Sequence, residues 1–279
     1  MPAAPDAQAA QQIMKLRHPG TRVATAVVLL MVGVVAYSVA TNPAFGWPVV
    51  AQYMLDPEIL TGLQRTLELT LAAMVMGLLL GTVLALMRLS KNPLLSTISW
   101  AYIWFFRSVP VLVQLIFWYN FGALYATISL RAPFGPALFT ANTNTLITPL
   151  FAALAGLGLS QSAYTAEVIR AGIVSVPPGQ TRAALALGMR RLMIYRRIIL
   201  PQAMRVIIPP VGNEVISMVK NTSLVSVIAL AELLYTTQLI YARTYQTIPL
   251  LIVASLWYLI IVSVLSVGQH FLERRFRHR

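Results

Sequence analysis

The sequence predicts an all-α, polytopic integral membrane protein with about six transmembrane helices. Hydrophobic residues make up 58% of the 279 residues and charged residues only 10%, a balance outside the range of soluble domains. The mean hydropathy is +0.73, and several uninterrupted apolar runs approach the roughly 20 residues that a helix needs to cross a bilayer. A transmembrane β-barrel would instead show short segments of alternating hydrophobicity.

Six apolar runs, separated by polar or proline-containing segments, predict the order of the transmembrane helices. Residues 94–106 are apolar and aromatic, but Arg107 and Pro110 end the run, which predicts an elbow lying along the inner face. Segments 42–57 and 129–145 are predicted to be loops on the outer side. The predicted spans are 23–40, 60–87, 109–125, 146–169, 205–234 and 249–268.

These segments divide the chain into four regions. Residues 1–20, rich in Ala, Gln and Pro, predict a disordered cytoplasmic arm. Residues 21–59 hold the first helix and an outer loop, residues 60–270 form the transmembrane domain, and residues 271–279 form a basic cytoplasmic tail. The first helix is interpreted either as a retained anchor, which its length favours, or as a signal peptide cleaved near Ser38-Val39-Ala40.

The positive charge is confined to a few segments of the chain. The net charge is +13, yet all but four of the 21 Lys and Arg residues fall in residues 1–22, the 88–107 region, the 170–205 region and the tail. Such clustering indicates membrane orientation rather than a nucleic-acid-binding surface. We therefore expect residues 170–205 and both termini to lie in the cytoplasm. The four exceptions are Arg65, Arg131, Lys220 and Arg243.

Residues 178–201, here called the coupling segment, lie between two apolar runs. The segment carries five arginines, and Arg205 follows just after it. Pro178 and Gly179 open the segment, Gly188 interrupts it, and Pro201 is predicted to close it. This pattern predicts two short helices, 180–187 and 190–199, joined at a glycine bend. Such a shape suits docking against another protein, and the alternative is an interfacial amphipathic helix held by anionic lipid.

The coupling segment resembles the EAA loop of ATP-binding cassette importer permeases. The resemblance rests on the spacing of Ala183-Ala184, Gly188, Ile198 and Leu200-Pro201, and it departs from the family where Arg182 replaces the leading Glu. It implies a cytoplasmic element that docks in a groove of an ATP-hydrolysing subunit. The residues implied in that contact are Arg182, Ala183, Ala184, Gly188, Ile198, Leu200 and Pro201.

From about residue 60 onward, the chain resembles permeases of polar amino acid importers. The resemblance implies the type I ABC importer permease fold, with a five-helix core to which this chain adds an N-terminal helix. It also implies a place in the bacterial inner membrane and transport by alternating access. The partners that it implies are an ATP-binding subunit dimer, a second permease that is identical or paralogous, and an extracytoplasmic substrate-binding protein. The similar motifs are TLELTL at 66–71, FRSVPVLVQL at 106–115, SAYTAEVIR at 162–170, PPVGN at 209–213 and KNTSL at 220–224.

No motif for covalent catalysis or phosphate binding occurs in the chain. The sequence lacks G-x-x-x-x-G-K-[ST], H-E-x-x-H and G-x-S-x-G, and it has no cysteine. We therefore expect neither catalytic residues nor a metal site, with ATP and Mg²⁺ held by the partner subunit. The alternative function is a secondary amino acid transporter or channel that works without ATP.

Polar residues within the predicted spans are the candidates for a substrate pathway, because ionisable groups are costly in a membrane. Glu68 and Lys220 fall at overlapping depths, so they could pair with each other or contact the substrate. Glu167 and Arg170 are predicted to form a local salt bridge, and Trp100 and Trp104 to be interface anchors. The candidate pathway residues are Glu68, Gln114, Glu214, Lys220, Asn221, Thr222 and Ser223.

Overall fold

The computed structural model describes residues 19–131 and 137–277. The predicted arm, apart from its last two residues, and the last two residues of the predicted tail lie outside the described residues. The chain divides into two compact units, Met1–Trp47 and Pro48–Arg279. In the first unit, the indole N–H of Trp47 donates to the carbonyl of Val39 at 3.0 Å, and this bond holds Trp47 against the end of the first helix.

The described residues are almost entirely helical, as predicted, with one short β-ribbon. The helices are α1 Pro19–Thr41, α2 Trp47–Tyr53, α3 Pro57–Arg88, α4 Pro93–Ser108, α5 Val111–Tyr119, α6 Thr143–Leu146, α7 Pro149–Val174, α8 Pro178–Ala186, α9 Arg191–Ile194, α10 Leu200–Asn221, α11 Leu233–Thr244 and α12 Thr247–Arg277, and the strands are β1 Thr127–Arg131 and β2 Ala137–Asn142.

Among the residues that the structure describes, three helices are long and apolar enough to cross a membrane by themselves: Val23–Thr41, Pro57–Arg88 and Thr247–Arg275. The number rises to five if each of two bent helix pairs counts as one span. Helix α7, with 26 residues, is about 39 Å long, but half of its residues are buried against the rest of the protein. With α7 counted beside these five, the expected number of about six spans is roughly met.

Helix α7 is the centre of the second unit and packs against α3, α4, α5 and α10. The most extensive contact is with α3, where Gly77 and Gly81 face α7. A Cβ atom at Gly77 would lie 2.6 Å from Gln161, and one at Gly81 would lie 2.9 Å from the carbonyl oxygen of Ser162. This Gly-x-x-x-Gly spacing therefore lets the two backbones pack closely, as small residues do in membrane helix pairs.

The predicted third span, 109–125, is shorter than expected. Helix α5 has nine residues, about 14 Å, and meets the elbow helix α4 at an angle of 99°. The break lies at Pro110, whose missing N–H cannot continue the helix. The elbow is therefore confirmed as a helix, whereas α5 alone is too short to span a bilayer.

The predicted fifth span, 205–234, ends earlier and starts earlier than expected. The α-helix α10 changes into a 3₁₀-helix at Thr222–Ile228, and Ala229 takes a left-handed conformation with φ 56°. Leu234 belongs instead to α11, a 12-residue helix that the sequence did not predict. The helical run therefore ends at Ile228, because the left-handed Ala229 cannot continue it.

Both predicted outer loops contain regular structure. Segment 42–57 holds a 3₁₀ turn at Pro43–Phe45 followed by α2. In segment 129–145, β1 and β2 pair as an antiparallel ribbon. The predicted tail is not separate from the last span, since α12 continues to Arg277.

Candidate functional site

The coupling segment begins as the predicted helix and turns at the predicted glycine. Helix α8 ends in a Schellman motif: the N–H of Gly188 donates to the carbonyl of Leu185 at 3.0 Å, and that of Met189 donates to the carbonyl of Ala184 at 3.1 Å. Gly188 has φ 73°, in the left-handed region that residues with a side chain rarely adopt. The bend at Gly188 is therefore confirmed.

One face of the coupling segment is buried on the end of α7. Ala184 is 3% exposed and packs with Ile194 and Ile199 in a small apolar cluster, which Ile173 of α7 joins. The side-chain amides of Gln180 and Gln202 donate to each other, one of them at 3.1 Å. These contacts join both arms of the bend to the neighbouring helices α7 and α10.

Pro201 does not close the second arm, contrary to the prediction. Helix α9 continues through a π-helical turn, Tyr195–Ile199, directly into α10. In that turn the N–H of Leu200 donates to the carbonyl of Tyr195, five residues back. The wider turn lies immediately before the proline, and a π-turn is one of the known ways in which a helix adjusts its hydrogen bonds. The second arm is therefore continuous with the helix that contains Glu214.

The opposite face of the coupling segment is exposed, apolar and basic. Leu187 is 82% exposed and Leu192 is 71% exposed, in a part of the chain where the neighbouring charges are all arginines. Arg190, Arg196 and Arg197 line a surface cavity of about 420 Å³ there. Of the residues implied by the EAA resemblance, Ala184 and Ile198 face inward, whereas five face solvent: Arg182, Ala183, Gly188, Leu200 and Pro201.

Glu214 lies at a polar cavity between α7 and α10. The cavity measures about 350 Å³ and is lined by Gln161, Glu214 and Asn221, among others. The side-chain amide of Gln161 donates to Glu214 Oε2 at 3.3 Å. The structure thus brings two of the predicted pathway residues, Glu214 and Asn221, to one cavity.

Glu68 lies at a different cavity, of about 520 Å³, together with Gln64 and Arg65. Its carboxylate accepts a hydrogen bond from Gln64 Nε2 at 2.7 Å. In the described part of the chain, no ion pair joins Glu68 to Lys220, and both side chains are exposed. The pairing that their depths allowed is therefore absent.

Three other predicted pathway residues satisfy backbone carbonyl groups. The hydroxyl of Thr222 donates to Val219 and that of Ser223 donates to Lys220, each at 2.7 Å. The amide of Gln114, which is 4% exposed, donates to the carbonyls of Phe106 at 3.2 Å and Val109 at 2.9 Å. Pro110 cannot donate to Phe106, so Gln114 supplies the donor that the α4–α5 break removes.

The predicted local salt bridge is present. Arg170 Nε donates to Glu167 Oε2 at 2.9 Å, three residues away on α7. It lies near the end of the helix that leads into the coupling segment.

Glu232, which the structure buries completely, was not among the candidates predicted from the sequence. Its carboxylate caps α11 by accepting from the N–H groups of Leu234 at 2.9 Å and Tyr235 at 2.8 Å. It also accepts from the hydroxyls of Tyr258 at 2.9 Å and Thr66 at 3.4 Å, which join α12 and α3 to this point. An acidic residue directly before an apolar helical run was the available signal.

Comparison with known proteins gives relatives over most of the chain. The arginine transport system permease protein ArgU of Corynebacterium glutamicum is 44% identical over 263 residues, which cover 94% of this chain and 81% of that protein. The nopaline transport system permease protein NocM of Agrobacterium fabrum is 36% identical over 214 residues, covering 75% of this chain and 84% of NocM.

Solved structures share the fold. An amino acid ABC transporter crystallised with histidines matches with a TM-score of 0.68 and 34% identity, over 81% of this chain and 97% of that one. The MetNI methionine ABC transporter in an inward-facing conformation matches with a TM-score of 0.62 at 17% identity, over 78% and 96% of the two chains, and supports the fold alone. Residues 73–278 match the family of binding-protein-dependent transport system inner membrane components. The chain belongs to this family.

Proposed function

We propose that this chain is a permease subunit of an ATP-driven importer for polar L-amino acids in the bacterial inner membrane, with both termini in the cytoplasm. The observation that carries the proposal is the coupling segment: an anchored bend with an exposed face of leucines and arginines. Membership of the permease family and the amino acid substrates named for its relatives support the same conclusion.

ATP hydrolysis would reside on a separate subunit dimer that holds ATP and Mg²⁺. Its groove would receive the exposed face around Leu187 and Leu192, and acidic groups in that groove would match the arginines. Movement of the coupling segment would pass into α10 without a break, because the second arm and α10 form one continuous helical run. Alternating access would follow from the shift of α10 against α7.

The substrate would pass the cavity that holds Glu214. A carboxylate with an amide neighbour at 3.3 Å suits a substrate ammonium group, and the amide and hydroxyl groups nearby suit its polar ends. A second permease, identical or paralogous, would complete the pathway. A substrate-binding protein on the outer side would deliver the amino acid.

Capture of the ATP-binding subunit tests the proposal. The full chain is co-expressed with the ATP-binding subunit encoded with it and purified from membranes. We expect the two to co-purify, and Leu187→Asp to abolish capture, because it places a charge on an apolar contact without disturbing the core. Leu55→Asp is the matched control, since Leu55 is 70% exposed but lies outside the coupling segment.

Transport in reconstituted vesicles separates this proposal from a carrier that works without ATP. Uptake of a labelled amino acid that needs ATP on the side of the coupling segment supports the importer. Equal uptake without ATP, or undiminished capture by the Leu187→Asp variant, contradicts it.

A further inference from the structure

Another polar cavity, separate from those that hold Glu214 and Glu68, lies where α3, α4 and α7 meet near the coupling segment. It measures about 530 Å³. Three guanidinium groups line it, from Arg88 at the end of α3, Arg107 at the end of α4 and Arg170 near the end of α7. Glu167 is the carboxylate in its lining.

The charges in this cavity do not balance. Glu167 is already paired with Arg170 through hydrogen bonds to two guanidinium nitrogens. Arg88 donates to the neutral hydroxyl of Ser96 at 2.8 Å, and Arg107 lies over the ring of Tyr164, 5.3 Å from its centroid. The ends of α3 and α4 contribute about half a negative charge each, which leaves roughly one positive charge without a partner.

Two exposed tryptophans in the cavity lining are typical of a membrane interface. Trp100 and Trp104 line it and stack on each other with their ring centroids 6.2 Å apart. Both are more than half exposed, at 51% and 59%. Tryptophan is enriched at the level of the lipid headgroups, where its ring meets acyl chains and its N–H meets polar groups.

We propose that this cavity binds the phosphate group of an anionic phospholipid from the cytoplasmic leaflet. Guanidinium groups match phosphate oxygens in geometry as well as in charge, and basic pockets between transmembrane helices on the cytoplasmic side bind lipid headgroups. The acyl chains would lie along the exposed indoles of Trp100 and Trp104. The bound lipid would join α3, α4 and α7 beside the coupling segment.

Lipid retention measured by native mass spectrometry tests this site. The full chain, with any subunits that co-purify, is exchanged into detergent containing either phosphatidylglycerol or phosphatidylcholine. We expect phosphatidylglycerol to be retained preferentially. Arg107→Gln should lower its retention about fivefold, the effect of removing one guanidinium near a membrane surface. Lys91→Gln is the matched control, since Lys91 is an exposed cation between α3 and α4 that does not line the cavity.

Arg107 is the first choice for substitution because it is exposed and makes no hydrogen bond in the described structure, so its loss should leave the fold intact. An unchanged gel-filtration profile verifies this, and Arg88→Gln is the second variant. Equal retention of phosphatidylglycerol by the wild type and both cavity variants would overturn the proposal. So would equal retention of the two lipids by the wild type.

Inorganic phosphate distinguishes a lipid from a soluble ligand. If phosphate raises the melting temperature of the delipidated wild type while phosphatidylglycerol is not retained, the cavity takes a soluble phosphate and the lipid assignment is wrong. If phosphate leaves the retained phosphatidylglycerol in place, the lipid assignment is supported.

Discussion

Glu232 accepts a hydrogen bond from the phenol of Tyr258 at 2.9 Å, and through this bond α12 is held to the start of α11. The same carboxylate caps α11 through two backbone N–H groups. The hydroxyl of Thr66 lies 3.4 Å from it and accepts from the N–H of Leu233 at 3.1 Å, so α3 is included as well. One fully buried side chain thus fixes three helices just after the left-handed residue that ends the 3₁₀-helix.

Removing this carboxylate should destabilise the protein strongly. Glu232→Ala loses a helix cap, at about 1 kcal/mol, and leaves the half-buried Tyr258 hydroxyl without its acceptor, at about 1–3 kcal/mol more. We expect a clearly lower melting temperature in detergent. Glu58→Ala is the control, because Glu58 is exposed and its ion pair with Arg243 lies at the surface, so the melting temperature should change little.

A double-mutant cycle with Tyr258→Phe isolates the bond between the two side chains. If the two substitutions act through one interaction, their combined effect on stability falls short of the sum of the single effects. Simple additivity would contradict the importance of the Glu232–Tyr258 contact.

Close packing of α3 on α7 should be sensitive to a single methyl group. Gly81→Ala would place a Cβ atom 2.9 Å from the carbonyl oxygen of Ser162, which belongs to backbone and cannot rotate away. We expect a loss of about 1–3 kcal/mol, typical of overpacking, measured as a lower melting temperature. Gly268→Ala on α12 is the control: a Cβ atom there meets nothing within 4 Å, so stability should hold or rise.

The bend in the coupling segment should depend on backbone conformation alone. A Cβ atom at Gly188 meets nothing within 4 Å, but its φ of 73° is unfavourable for alanine, at about 1 kcal/mol. We expect Gly188→Ala to weaken capture of the ATP-binding subunit while the melting temperature changes little. Gly179→Ala has equal space and no positive φ, and should capture normally; equal loss in both variants would argue against the bend.

Charge at the Glu214 cavity should matter for transport. Glu214→Gln keeps the size of the side chain and its contact with Gln161 but removes the negative charge. We expect uptake of a labelled amino acid to fall at least tenfold, about 1.4 kcal/mol by the usual conversion, with the complex still assembled. Glu58→Gln should transport normally, because Glu58 is exposed and does not line the cavity. Normal uptake by Glu214→Gln would remove Glu214 from the pathway.

Local patterns predicted much of this protein because they act through local physics. Long apolar runs predict helices in any protein. Pro110 breaks the elbow from α5 as expected, since it lacks an N–H group. Gly188 turns the coupling segment as expected, since glycine tolerates a positive φ. The salt bridge between Glu167 and Arg170 also followed from their spacing on one helix.

Tertiary structure decided what depends on partners far apart in the sequence. Depth alone allowed Glu68 and Lys220 to pair. In the structure both side chains are exposed, and the carboxylate of Glu68 accepts a hydrogen bond from Gln64 instead. The π-turn carries the helix through Pro201, which the residue type alone predicted as a stop. Glu232 had a local signal as a helix cap, but its bonds to Thr66 and Tyr258, 166 and 26 residues away, depend on how the helices pack. The sequence by itself determined where helices form and bend, because those preferences belong to single residues. The fold alone decided which polar groups meet, because burial and pairing depend on how whole helices rotate and pack.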